Sequence, residues 1–293
     1  MLKLKSSSPG TTTLQHLASQ QAVIDGLKIE EQVTRAQELW KTKSSVKGGK
    51  PAFDEVKQAL IDLCVSTELC NYCEHNEATD IEHVYPKSFF PERTFQWPNY
   101  LLACKTCNTH YKLDKFAVFA PAKSATAVIL QRKKLPPSTD AAFIDPRVDD
   151  PLYYLLLDIT GKTFHLVPHP TLTNPREIAK AQHTLNVLEI GERPALVKAR
   201  TDAFNFYQGQ LEQYKNVMNA ATLTDLEDLA QDPHLVDKNN TFAAEQQVML
   251  NGLKQSILSY LHPTVWREMQ RQHQSLNKTK RLFAAVPAAL TWV

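Results

Sequence analysis

The stretch "CNYCEHNEATDIEHVYPKS" at residues 70–88 sets sulfur ligands beside a Glu-His pair. Cys70 and Cys73 form one CxxC pair, and a second pair, Cys104 and Cys107, follows after 30 intervening residues. Four thiolates are the ligand set of a tetrahedral structural zinc site, which has no open position for a reacting water. The separation exceeds the roughly 15–20 residues usual between zinc-ribbon pairs. We therefore predict a structural zinc site. The insertion between its two CxxC pairs is expected to have a different function.

The composition predicts a globular protein with local rather than global attraction for nucleic acid. The 293 residues are 43% hydrophobic, which is enough for a sizeable core. Thirty-three Lys and Arg balance 31 Asp and Glu, so the chain lacks the strong positive field of a nonspecific nucleic-acid coat. Neither a signal peptide nor an apolar run of about 20 residues is recognisable, which predicts a cytoplasmic protein without a membrane segment. In that compartment paired cysteines favour metal binding over disulfides.

The hydrophobic pattern predicts an α+β protein that is mostly helical. The polar first thirteen residues predict a loose tail. Residues 41–51 contain four lysines and predict a flexible loop whose side chains are solvated or contact phosphate. Cys64 falls on the apolar face of a predicted helix and is expected in the core. The β-capable runs "DIEHV" and "NYLLA" predict a wide hairpin that leads into a helix. We divide the chain into a tail and helical lead-in (1–52), a central domain with the cysteine pairs and a covering hairpin (53–170) and a C-terminal helical domain (171–293).

Four residues between and after the cysteine pairs have the chemistry for phosphodiester hydrolysis: Glu82, His83, Asn99 and Asn108. Carboxylate and side-chain amide oxygens are hard ligands that suit Mg²⁺ or Mn²⁺. A neutral imidazole beside such an ion can take a proton from water near pH 7. Adjacent strand residues point to opposite faces, so Glu82 and His83 reach one spot only at a bulge or at the end of the strand. Pro86 fits such an ending.

"DIEHVYPKS" and then "WPNYLLACKTCN" resemble the HNH nuclease motif in its zinc-knuckled, ββα-metal form. The resemblance implies a zinc-stabilised HNH core in which His83 is the general base and Glu82 a ligand of the catalytic cation. It also implies that Asn99 braces the loop and orients the histidine, and that Asn108 is the distal metal ligand.

One departure from the family pattern leaves the distal ligand open. Members of this type usually read CNxxKGD after the last cysteine, whereas this chain reads "CNTHYKLDKF", with one extra residue and no glycine. His110 is the alternative ligand to Asn108, since histidine fills that place in other HNH nucleases. Asn108 is favoured because oxygen ligands suit Mg²⁺. Lys112 or Lys115 is a candidate for phosphate contact.

The resemblance extends over about residues 55–205, because "FIDPRVDDPLYYLLLDITGK" and "AQHTLNVLEIGERPALVKAR" are similar to segments that follow the motif in a family of bacterial HNH proteins. Members are often encoded beside an ATPase, as in the Septu antiphage system, which is also attached to some retrons. This implies a nuclease subunit with an ATPase partner in antiviral defence. DNA is the favoured substrate, and RNA, including tRNA, is the second possibility.

The rival prediction is a catalytically silent zinc-binding interaction module. Each of the four candidate residues has an ordinary structural role when it is taken singly, such as a turn former or a helix N-cap. Residues 68–116 contain seven acidic and five basic side chains, so this segment alone attracts a polyanion only modestly. The apolar C-terminal "LFAAVPAALTWV" predicts either a segment folded back on the helical core or a docking segment for a partner.

Overall fold

The computed structural model describes residues 1–121, 124–132, 134–230 and 233–293, and it divides into two compact units. The first unit comprises Met1–Leu156 and Leu166–Arg193, and the second comprises Leu157–His165 and Pro194–Val293. Helices dominate, and the strands form small two-stranded sheets, so the predicted α+β, mostly helical class is confirmed. Within the described residues, no helix is both long and apolar enough to span a bilayer. The division into functional domains at residues 52 and 170 stays a prediction.

The first unit begins with three helices and continues through short strands. Its elements are α1 (Thr11–Asp25), α2 (Ile29–Thr42), α3 (Gly49–Leu63), β1 (Asp80–His83), β2 (Tyr100–Ala103), a π-helix (Thr106–Lys112), β3 (Ala117–Phe119), β4 (Ala127–Ile129), α4 (Pro151–Tyr154), β5 (Leu155–Leu157), β6 (Leu166–Pro168) and α5 (Pro175–Leu188). Each of the three sheets pairs strands that are consecutive in sequence: β1 with β2, β3 with β4, and β5 with β6.

The predicted wide hairpin is confirmed in β1 and β2. The strands are antiparallel, with Asp80 opposite Ala103 and His83 opposite Tyr100. Every residue of β2 is buried, and α3 packs against this strand. The apolar face of α3 ends at Cys64, which is buried as predicted, and its thiol contacts the carbonyl oxygen of Leu60 at 3.6 Å. The hairpin is therefore embedded in the core.

The N-terminal segment is not the loose tail that its composition predicts. Met1, Leu2 and Leu4 are buried, and the amide of Leu4 donates to the carbonyl of Pro146 at 2.8 Å. The segment is mostly polar, but it contains three apolar side chains, and their burial offsets the entropy cost of ordering the chain.

The second unit is helical apart from a short turn at Leu157–His165. Its helices are α6 (Pro194–Asn219), α7 (Leu223–Leu229), α8 (Phe242–Ser259), α9 (Pro263–Arg271) and α10 (Asn277–Ala285). The C-terminal apolar stretch folds back on these helices as a 3₁₀ turn, Pro287–Thr291, followed by the buried Trp292. The Trp292 ring stacks near that of Trp266, with 6.2 Å between centroids. The docking-segment prediction is wrong for Trp292, because its side chain already fills the core of this unit.

Candidate metal centre and hairpin cavity

The four cysteines of the two CxxC pairs meet in one buried cluster, which we call the thiolate cluster: Cys70, Cys73, Cys104 and Cys107. Their sulfurs all lie within 4.8 Å of one another, and none is in a disulfide. Zinc–sulfur bonds of about 2.3 Å in a tetrahedron separate sulfurs by about 3.8 Å, and the Sγ atoms of Cys73 and Cys104 are 3.9 Å apart. The cluster can therefore hold a zinc ion, as predicted.

Hydrogen-bond donors surround the thiolate cluster. The guanidinium of Arg193 donates to Cys107 Sγ at 3.4 Å, and the amide nitrogen of Asn76 donates to Cys104 Sγ at 3.7 Å. The other three thiols hold the pKa of Cys104 well below its usual range by donating to its sulfur. Such donors stabilise thiolate ligands and fix their orientation.

The opposite end of the hairpin opens into a cavity of about 400 Å³, which we call the hairpin cavity. Three of the predicted site residues, Glu82, His83 and Asn108, contribute to its wall. Asn99 and His110 are not among the residues that line it. The remaining lining residues are Gln37, Pro86, Lys87, Ser88, Thr109, Leu113, Asp114 and Arg132.

Glu82 and His83 reach the same cavity because His83 is the last residue of β1. Burial raises the pKa of the Glu82 carboxyl, and the ammonium of Lys112, 2.5 Å from its Oε1, opposes that rise. Burial holds the pKa of His83 well below its usual value, and the positive charge of Lys87 adds to the effect. His83 is therefore a neutral imidazole at pH 7.

One nitrogen of His83 is fixed by a hydrogen bond. Its Nε2 lies 2.9 Å from the carbonyl oxygen of Thr94, which also accepts from the Tyr100 hydroxyl at 2.7 Å. A carbonyl oxygen can only accept, so the contact requires a proton on Nε2 and leaves Nδ1 as the basic nitrogen. The ring also packs edge-on against Trp40, with 4.2 Å between centroids.

Asn99 holds the loop between the strands. Its Oδ1 accepts from the amide of Tyr85 at 2.7 Å, and its Nδ2 donates to the carbonyls of Tyr85 at 3.0 Å and Arg93 at 2.9 Å. Arg93 precedes Thr94, the residue whose carbonyl holds His83. Asn99 therefore supports the backbone beside the imidazole without touching the cavity.

Asn108 is oriented by a residue that the sequence argument did not single out. Its Nδ2 donates to Asp80 Oδ2 at 3.0 Å, and its Oδ1 makes no contact with any described residue. His110 is exposed, and its ring packs edge-on against its neighbour Tyr111 at 4.8 Å. Of these two alternative ligands, only Asn108 lines the hairpin cavity.

The extra residue after the last cysteine is accommodated by a π-helix. The amide of Leu113 bonds to the carbonyl of Asn108 at 2.8 Å, which closes a turn one residue wider than an α-helical one. Leu113 then adopts φ 51° and ψ −122°, a conformation that favours glycine. The π-helix thus accommodates the extra residue, whereas Leu113 stands at a backbone position that would favour the glycine of the CNxxKGD pattern.

Lys112 is not a phosphate contact, contrary to one sequence-based expectation. Its side chain is fully buried, pairs with Glu82, and donates to the carbonyl of His83 at 2.8 Å. This lysine joins the π-helix to the end of β1. Nothing in the sequence distinguishes it from the solvated Lys115 three residues later.

Comparisons with known proteins give one partial match. No protein-family profile matches the chain, and no solved structure does. The chain is 34% identical over 85 residues to the Septu protein PtuB of Bacillus thuringiensis. The match covers 27% of this chain and 31% of the length of that relative. Over this part, the chain is similar to a Septu protein.

Proposed function

We propose that this protein is a zinc-knuckled HNH endonuclease with a ββα-metal core, which hydrolyses phosphodiester bonds, with DNA as its substrate. The observation that supports the proposal most is the convergence of Glu82, His83 and Asn108 on one cavity. These residues come from a strand end and a helix, 25 or more positions apart in the chain. A silent zinc module has no need for a neutral, buried imidazole beside a carboxylate and an amide.

In the proposed reaction, Nδ1 of His83 takes a proton from the attacking water. The hydrogen bond from Nε2 to Thr94 orients the ring, and the low pKa keeps it unprotonated at neutral pH. Asn99 is a positioning residue that braces the loop carrying Thr94. General bases of this kind accelerate reactions by about 10²- to 10⁴-fold.

Glu82 and Asn108 would hold the divalent cation of the proposed enzyme. Asn108 turns its amide nitrogen to Asp80, which leaves its Oδ1 without a contact among the described residues, and the Glu82 carboxylate lines the cavity while it pairs with Lys112 through Oε1. Proteins usually bind Mg²⁺ through one or two oxygen ligands, and water and substrate phosphate complete its coordination shell. The two residues therefore fit Mg²⁺ or Mn²⁺. A cation here stabilises the charge that develops on the phosphate and the leaving oxygen.

The biological setting of the proposal is antiphage defence. The distant similarity to a Septu protein supports such a role, and with it an ATPase partner that licenses cleavage. The acidic balance of residues 68–116 agrees with a nuclease that depends on a partner for strong substrate binding.

The test offers supercoiled plasmid, single-stranded DNA and tRNA to the wild type and to His83→Ala, with Mg²⁺ or Mn²⁺, with and without an ATPase encoded beside it. We expect His83→Ala to lose cleavage at least about 100-fold while its zinc content and melting temperature are retained. The matched control is His110→Ala, which removes an exposed histidine outside the hairpin cavity.

Three outcomes decide the proposal. Undiminished cleavage by His83→Ala would exclude this histidine as the base. A wild type that binds zinc and cleaves none of the substrates, with or without the ATPase, would favour the silent module. Preferred cleavage of tRNA would keep the mechanism and replace DNA by RNA.

A further inference from the structure

Among the described residues, Lys87 has no anionic partner, although it lines the hairpin cavity. Burial lowers the pKa of its ammonium, and it makes no hydrogen bond or ion pair with any described residue. Two carboxylates, those of Glu82 and Asp114, lie close enough for their charges to act on Lys87, but both already have partners. Glu82 pairs with Lys112 at 2.5 Å, and Asp114 pairs with Arg132 at 2.7 Å. A partly desolvated cation without a counter-charge is costly in a folded protein unless a ligand supplies the anion.

A second lysine, which directly follows α2, lies close enough to Lys87 for their charges to interact. The ammonium of Lys43 lies 4.5 Å from the centre of the Trp40 ring, and that of Lys87 lies 5.8 Å from it. The same ring contacts the imidazole of His83. Trp40 therefore contacts the basic histidine and two lysines that are 44 positions apart in the chain.

Lys43 differs from the other lysines of its segment. Burial lowers its pKa, whereas Lys41, Lys47 and Lys50 are exposed. Part of its role is local, because it donates to the carbonyl of Trp40 at 3.4 Å near the end of α2. That single contact leaves two ammonium protons for another acceptor.

We propose that Lys43 and Lys87 form a phosphate clamp on Trp40 that binds the phosphodiester backbone of nucleic acid next to His83. This inference rests on the proposed nuclease function and names residues outside the metal site that bind its substrate. It assigns a substrate-binding role to α2, a helix that precedes the hairpin by about 40 residues. Lys43 also adds a positive charge from outside residues 68–116, a segment in which acidic side chains outnumber basic ones.

The test measures binding separately from cleavage. Lys87→Met and Lys43→Met are made in the His83→Ala chain, and the affinity for a short fluorescent DNA duplex is followed by anisotropy over a series of salt concentrations without divalent cation. Each lost phosphate contact lowers the magnitude of the salt slope by about 1 and the affinity by about tenfold near 0.1 M salt. The control is Lys47→Met, which removes an exposed lysine from the same segment and should change neither quantity.

In the chain that retains His83, the two substitutions should raise KM for cleavage and leave kcat within about twofold, as expected when uniform binding is lost. Unchanged salt slopes in Lys43→Met and Lys87→Met would overturn the clamp, even if Lys43→Met lowers the melting temperature through its helix contact. A wild type that cleaves no substrate would refute the nuclease proposal instead, and the anisotropy series would still decide whether the clamp exists.

Discussion

Replacing Leu113 tests whether the backbone after the π-helix is strained. Leu113 has φ 51° and ψ −122°, and its side chain is 51% exposed. A side chain in this region costs about 1–3 kcal/mol, which glycine avoids. Leu113→Gly and Leu113→Ala remove the same packing beyond Cβ, so their difference in unfolding free energy isolates the backbone preference.

The expected difference has the opposite sign to that of an ordinary helix position. Glycine is normally less stable than alanine by about 0.5–1 kcal/mol. Subtracting that cost from the relieved strain predicts that Leu113→Gly is more stable than Leu113→Ala by roughly 0.5–2 kcal/mol. Urea unfolding of the zinc-loaded protein measures the two values. The control pair is Lys57→Gly and Lys57→Ala in α3, where alanine should be the more stable.

Equal stability of the two variants at position 113, or a more stable alanine, would refute the reasoning. It would mean that the left-handed backbone after the π-helix carries no penalty. The glycine of the related CNxxKGD pattern would then need another explanation.

The remaining predictions concern zinc, pH and the C-terminus. The purified chain should contain one zinc per molecule by metal analysis, and Cys70→Ser should lose both the zinc and at least about 3 kcal/mol of unfolding free energy; full zinc content in that variant would contradict the four-thiolate site. Burial raises the pKa of Asp145 from 3.8 to about 6, so its contribution to stability is complete below about pH 4 and is lost as the pH rises through about 6. The unfolding free energy of Asp145→Asn relative to that of the wild type should therefore rise by up to about 3 kcal/mol between pH 4 and pH 7 in urea titrations. A difference that does not vary with pH would contradict the raised pKa. Trp292→Ala should destabilise the protein by about 3 kcal/mol in the same assay, whereas the control Leu290→Ala, at a more exposed position, should cost less than about 1 kcal/mol; a cost as small for Trp292 would mean that its burial contributes little.

The sequence was sufficient wherever a residue's neighbours along the chain determine its position. The two CxxC pairs have the spacing of metal ligands, and the short β-capable runs "DIEHV" and "NYLLA" predict the hairpin. Glu82 and His83 could share one side only at a bulge or at the end of a strand, and β1 does end at His83.

Contacts between distant segments could not be predicted in the same way. The lysines at positions 43, 87 and 112 look alike in sequence, yet Lys112 is buried in an ion pair, whereas Lys87 lines a cavity and pairs with no described residue. Whether a lysine is buried depends on which carboxylate the fold brings near it. A single sequence does not show which residues are brought together in this way. The π-helix did leave a signal, because an extra residue and a missing glycine mark a change in helix geometry.

The hairpin has only four residue pairs, and a slip by one position would move every side chain of a strand to the other face. A slip would turn the carboxylate of Glu82 to the opposite face and carry the imidazole away from Thr94. Asn71, which lies within the first CxxC pair, opposes such a slip because it forms two hydrogen bonds of 2.9 Å with the backbone of Leu102. The second CxxC pair directly follows β2. A zinc ion bound to the thiolate cluster would therefore check strand alignment during folding: an ion with no part in the proposed reaction would decide whether the reacting groups face the same way.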